Sequence, residues 1–288
     1  MNERHEIKIE VNALNPLEYL ACCGIFEIAS RFDETARAHW QSGDTTTFYL
    51  ESVLSERELL GIILSPLTDW SRWKVVANDA KEVIRLEASF SGVNDQREEF
   101  ILDWWYESLT PEGEINKSGW KMYAGQQKAE KITLDMILKC QKLNCDSLSE
   151  LLRQTSKVSG SFGFDPMASR NALDVGYSPN DLNLPVVTNP FSQLLAMFGA
   201  QYFFATRTKQ ANEIVSSRGW TKENRRYFFD YSLWLMPVPI ALARSLANAP
   251  TQVPENKILS FRSPRATRDK YSNLTLSFPT NSRGENYE

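Results

Sequence analysis

Histidine is almost missing from this sequence: His5 and His39 are the only two in 288 residues. Neither lies near a Cys or Ser of any motif, so triads, His-based acid–base chemistry and His-ligated metals have almost no material here. Cysteine is scarce too. Cys22, Cys23, Cys140 and Cys145 make one adjacent pair and one wider pair, neither a disulfide framework nor a zinc spacing, and buried reduced thiols are expected. No apolar run reaches the roughly 18 residues that a membrane span needs. Met1-Asn2-Glu3-Arg4-His5-Glu6 lacks the basic-then-apolar order of a signal peptide, so a cytoplasmic protein with no membrane partner is expected. Basic charge is not in excess either. The formal net charge is -4, unlike that of an autonomous nucleic-acid binder, and any such role must rest on local patches or on partners.

What is present describes a folded chain. Hydrophobic residues make up 42% and charged residues 24%, with fifteen Phe and eight Trp, enough for a sizeable core in one large domain or two modest ones. Glu6 to Val11 alternates charged and apolar residues as a half-buried strand does. Asn15 then caps a helix with Pro16 at its first position, and Leu17, Leu20, Ala21, Gly24, Ile25 and Ile28 fall on one face. Thr45 to Leu50 reads as a strand, and Ser55 with Glu58 as a capping box for the helix from Glu56 to Leu64. Val83–Ala88 and Glu99–Trp105 read as an antiparallel hairpin. Helices are expected over 128–143, from 147, after Asn189-Pro190 and over 240–246. Strands are expected over 184–188, 228–236, 257–261 and 274–278. The fold class is therefore α+β, with mixed, mainly antiparallel sheets and packed helices.

A soft boundary near Ser156–Gly160 divides an N-terminal lobe, 1–156, from a C-terminal lobe, 157–288. The lobes share a motif: Leu20-Ala21 leads to Gly24, and Leu195-Ala196 to Gly199, each shortly after Asn-Pro. This is either an old duplication or the packing optimum for a helix pressed closely against a sheet.

Ser159 to Asn180 is too irregular for a helix and too long for a turn. Gly160, Gly163 and Gly176 allow positive φ, Asp165-Pro166 can start a short helix, and Phe162, Phe164, Leu173 and Tyr177 argue for order. Two readings stand: a structural loop whose aromatics plug the core, or a contact loop in which Ser161, Asn171 and the Gly160 and Gly163 backbone meet a phosphate-bearing ligand or a partner. Its glycines are not followed by Lys and Ser/Thr, so it is not a triphosphate loop. Asp165 and Asp174 lack the further acidic neighbours that metal-ion chemistry would need. No catalytic residue, cofactor or metal is predicted.

Two further patches have nucleic-acid chemistry. Between Asn116 and Lys128, Lys117, Lys121 and Lys128 suit phosphates, Trp120 and Tyr123 suit stacking, and Gln126 and Gln127 suit base edges. A solvated loop with Trp120 tucked inward is the other reading. A basic link carries Arg262, Arg265, Arg268 and Lys270 against Asp269, and such charges are either phosphate contacts or simply solvated.

Three stretches in order resemble one family. Phe164-Asp165-Pro166 running into Asn171-Ala172-Leu173-Asp174-Val175-Gly176-Tyr177-Ser178-Pro179-Asn180, the opening Asn15-Pro16-Leu17-Glu18-Tyr19-Leu20-Ala21-Cys22-Cys23-Gly24-Ile25, and the central Tyr123-Ala124-Gly125-Gln126-Gln127 are similar to landmarks of the CRISPR-associated large-subunit family of type I-U (type I-G, Dpsyc) systems. The chain departs from it at Arg170, where an aromatic is frequent. The resemblance implies a non-catalytic subunit of a crRNA-guided surveillance ribonucleoprotein in antiviral defence. Such a subunit contacts crRNA and target double-stranded DNA beside the protospacer-adjacent motif, joins other effector subunits and helps recruit the helicase-nuclease. The reading from another class is a small-molecule enzyme with its site in the Gly160–Asn180 loop.

Overall fold

A computed structural model describes residues 3–43, 45–77, 82–106, 119–123, 127–168, 186–203, 219–224, 226–248, 257–268 and 271–280. Every strand pairing among them is antiparallel, and the protein is an α+β fold. The first sheet is built from β1 (His5–Val11), β2 (Arg37–Gln41) and β3 (Thr46–Ser52), with β3 in the middle and the short strand Val238–Pro239 added on β2. Alternation sets its two faces. Ile7, Ile9, Trp40, Phe48 and Leu50 point into the core, while Glu6, Lys8, His39 and Tyr49 lie on the other face.

Helix α1 (Pro16–Phe32) packs on the inner face, where Tyr19 stacks on Trp40 with ring centroids 5.5 Å apart. Its start is determined locally: Asn15 Oδ1 accepts from the Leu17 amide at 3.0 Å, and the Glu18 carboxylate accepts from the Asn12 amide at 2.7 Å and from Asn15 Nδ2 at 3.0 Å. From Tyr19 to Ser30 every residue is buried, including Glu27, whose carboxylate is matched by Arg244. A helix enclosed on all sides cannot show a simple polar stripe, so the amphipathic face read from the sequence was only the most apolar part of it.

The capping box at Ser55 and Glu58 forms as expected and starts α2 (Glu56–Leu67). β4 (Trp73–Ala77), β5 (Val83–Ser91) and β6 (Arg97–Leu102) make a three-stranded sheet that contains the expected hairpin. Trp104 and Trp105 lie beyond β6 and are buried in the core. α3 (Ala129–Cys140) and α4 (Leu148–Leu151) follow, and β7 (Ser156–Val158) pairs with β8 (Val186–Thr188). After β8, Asn189 Oδ1 accepts from the Ser192 amide at 2.8 Å and caps α5 (Pro190–Ala200), the helix that crosses α1.

The last sheet orders β9 (Trp220–Glu223), β10 (Arg226–Trp234), β12 (Ile258–Arg268) and β13 (Tyr271–Leu274). The two-residue strand on β2 is β11, and β14 (Phe278–Thr280) also pairs with β12; α6 (Ile240–Asn248) connects β11 to this region. The supposed basic link is a correction: it is mostly strand. β12 pairs with β10 as far as Pro264 and with β13 from Arg265 onward. Pro264 offers no N–H to a ladder, but its carbonyl accepts from the Thr275 amide at 2.9 Å. One hydrophobic core runs through residues on both sides of position 156, and the β2–β11 pairing crosses that position. No helix among the described residues is long and apolar enough to cross a membrane.

Candidate nucleic-acid interface

The three stretches singled out in the sequence meet along β12 and β13. Arg265 Nη1 donates to the Gly119 carbonyl at 2.8 Å, the Ser272 amide to the Met122 carbonyl at 2.9 Å, and the Leu274 amide to the Gly163 carbonyl at 2.8 Å. Gly163 has φ +82°, and a Cβ there would stand 2.7 Å from the Ser272 carbonyl and 2.9 Å from Met122 Cβ. Only glycine tolerates both the dihedral and the approach. Gly160 lies equally close to Gln127, whose Nε2 would be 2.8 Å from an added Cβ. The glycines thus admit the Gln127 side chain at Gly160 and the β13 backbone at Gly163.

The aromatics of the first patch turn inward. Trp120 is 0% exposed, with its ring 4.7 Å from Phe229, 5.2 Å from Trp220 and 5.7 Å from Phe164. Tyr123 is buried against Phe162, and burial pushes its hydroxyl pKa far up. Neither ring is placed to stack on a base, because a large aromatic contributes more by leaving water than by standing on a surface. Lys121 is half-buried and pairs with Glu82 at 2.5 Å. Gln127 is half-buried and Lys128 exposed at the start of α3. Lys117 and Gln126 lie outside the described residues.

In the central loop Phe162 and Phe164 are fully buried and Ser161 is half-buried. Asp165 caps the helical turn at Pro166: its Oδ1 accepts from the Met167 amide at 2.9 Å and its Oδ2 from Thr188 Oγ1 at 2.6 Å. Burial pushes this carboxyl above the usual range in spite of those bonds. Asn171, Leu173, Asp174 and Tyr177 lie outside the described residues.

Of the second patch, Arg262 is already neutralised. It donates through Nε and Nη2 to the two Asp230 oxygens at 2.7 and 3.1 Å, and through Nη1 to Glu223 at 2.7 Å. A guanidinium held by two carboxylates has fewer free donors to offer a phosphate. Arg265 is half-buried and has no carboxylate partner among the described residues. Lys270 and the Arg268 side chain lie outside the described residues.

Sequence reasoning passed over the polar side chains of β10 and β12. Thr221, Asp230, Ser232, Ser260, Arg262 and Thr280 line a cleft of about 280 Å³ there. Its signal was present in the polar residues at alternate strand positions, Ser232 opposite Ser260 and Asp230 opposite Arg262. Cys22, Cys23 and Cys140 are buried free thiols and Cys145 is half-buried. Among the described residues no three His, Cys, Asp or Glu side chains are placed to hold a metal ion.

No family model, curated protein or solved structure matches the chain.

Proposed function

We propose that this chain is a non-catalytic, large-type subunit of a type I CRISPR surveillance complex, working in the cytoplasm. In this reading it contacts crRNA and target DNA near the protospacer-adjacent motif and helps recruit the helicase-nuclease, with other subunits supplying most of the positive channel that an acidic chain lacks. The observation that carries the reading is the meeting of sequence-distant stretches. Met122 and Gly163, beside the Tyr123–Gln127 and Phe164–Pro166 landmarks, are both hydrogen-bonded to β13. The landmark at Asn15 is joined to the same part of the fold through the Leu14 carbonyl, which accepts from the Ser277 amide at 2.8 Å. Segments that carry a family's likeness and also pack together in one part of the fold are what a shared family core requires.

Affinity purification with RNA sequencing tests this directly. A subunit of such a complex brings crRNA and partner proteins with it from cells that express the whole system. A chain that purifies alone, without RNA, would sink the reading and favour the small-molecule enzyme.

A further inference from the structure

Arg265 differs from every other arginine of the candidate interface whose side chain is described. Its guanidinium lies over the rings of Trp220 and Tyr227, 5.8 and 5.6 Å from their centroids. Nη1 donates to the Gly119 carbonyl at 2.8 Å and Nη2 to Ser272 Oγ at 3.1 Å, while Nε is buried with no hydrogen-bond partner. Arg262, three residues earlier on the same strand, is met by two carboxylates. Arg265 has no carboxylate partner among the described residues, and burial without a nearby acid lowers its pKa. A half-buried cation that lacks a counter-ion is costly to keep, and an arriving anion would offset that cost. The donors also extend outward from it. Ser272 Oγ shares a hydrogen bond with Thr267 Oγ1 at 2.9 Å, and Thr267 is exposed on β12. When Ser272 donates to Thr267, the Thr267 proton is left to face solvent.

We infer that Arg265 and Thr267, linked through the buried Ser272 hydroxyl, form an anchor for one phosphodiester oxyanion of a nucleic-acid backbone, beside the segment that begins at Gly119. This rests on the functional reading above and adds to it the place where the strand is held. The rings of Trp220 and Tyr227 position the guanidinium, so a lysine at 265 does not replace it. The contact is to backbone and carries no sequence preference.

The test is fluorescence-anisotropy titration of the full chain with a single-stranded oligonucleotide over a series of salt concentrations, with thermal melts of each variant. Arg265→Gln is expected to lower the slope of log K against log salt by about 0.7, the value for one phosphate contact on a single strand. Thr267→Val is expected to weaken binding severalfold with an unchanged slope, since the hydroxyl is neutral. If Arg265→Gln does not fold, Thr267→Val decides, and unchanged affinity overturns the anchor. Binding by the wild type with an unaltered slope in folded Arg265→Gln also overturns it, while leaving the functional reading standing. If the isolated wild type binds no oligonucleotide, the functional reading stays with the co-purification test, and melts in inorganic phosphate against chloride at matched ionic strength judge the anion site. A rise in melting temperature that Arg265→Gln abolishes keeps the site; no rise removes it.

Discussion

Gly24 of α1 and Gly199 of α5 lie against each other, so that a Cβ built on Gly24 would stand 3.3 Å from the Gly199 nitrogen. The contact is reciprocal. That Cβ would collide with the Leu195 carbonyl, and a Cβ on Gly199 would collide with the Leu20 carbonyl. Each Leu-Ala-x-x-Gly motif is thus the surface on which the other packs, and close helix crossing accounts for both without any appeal to ancestry.

Gly24→Ala and Gly199→Ala should each destabilise the protein by on the order of 3 kcal/mol, because backbone rather than a flexible side chain blocks the new methyl group. Gly61→Ala is the control. Gly61 sits in α2 with nothing within 4 Å of an added Cβ, so its replacement should stabilise by about 0.5–1 kcal/mol through helix propensity. Urea denaturation of the three variants checks both signs.

Phe164→Ala should cost about 3–5 kcal/mol, as for other buried aromatics. Its ring is fully buried, with centroids 5.2 Å from Trp104, 5.7 Å from Trp120 and 5.8 Å from Phe162. Loss of near-ultraviolet circular dichroism at a lower denaturant concentration would report it; a melt like that of the wild type would contradict the packing.

Two aspartates should shape acid stability with opposite signs. Burial pushes the Asp33 carboxyl up, but bonds from Thr35 Oγ1 at 2.6 Å, the Val53 amide at 2.9 Å and Ser52 Oγ at 2.8 Å outweigh it, and the net pKa is lowered. Its contribution is present above the unfolded value of roughly 4 and is lost as pH falls through the folded value. Asp165 has a raised pKa, owing first to burial, so stability at that site declines as pH rises from about 4 through the folded value. Melts from neutral pH to pH 3 should show Asp33→Asn destabilised by about 2 kcal/mol at neutral pH, with the gap to wild type closing in acid. For Asp165→Asn the small stability gain of the wild type on mild acidification should vanish.

Lys121→Ala should leave the salt slope of nucleic-acid binding unchanged, because its ammonium is held by Glu82 at 2.5 Å. A slope lowered by about 0.7–0.9 would show that the pair opens and that the lysine reaches phosphate after all.

The sequence by itself determined what depends on a few neighbouring residues: the caps at Asn15, Ser55 and Asn189, the alternation in β1 and the α+β class. A cap closes within one turn, as Ser55 and Glu58 do at 2.8 Å, and alternation needs only the pleat, so both can be read from a short window of chain. Tertiary structure alone decided which of the basic and aromatic residues meet solvent. Trp120 turned inward because Phe229 and Trp220 wait for it across the core. Arg262 was spent on Asp230, 32 residues away, and a strand that looked like a charged link was recruited by pairing with β10 and β13. Charge and aromaticity are properties of a residue, but exposure and neutralisation belong to its partners, and those partners come together only when distant segments fold against one another.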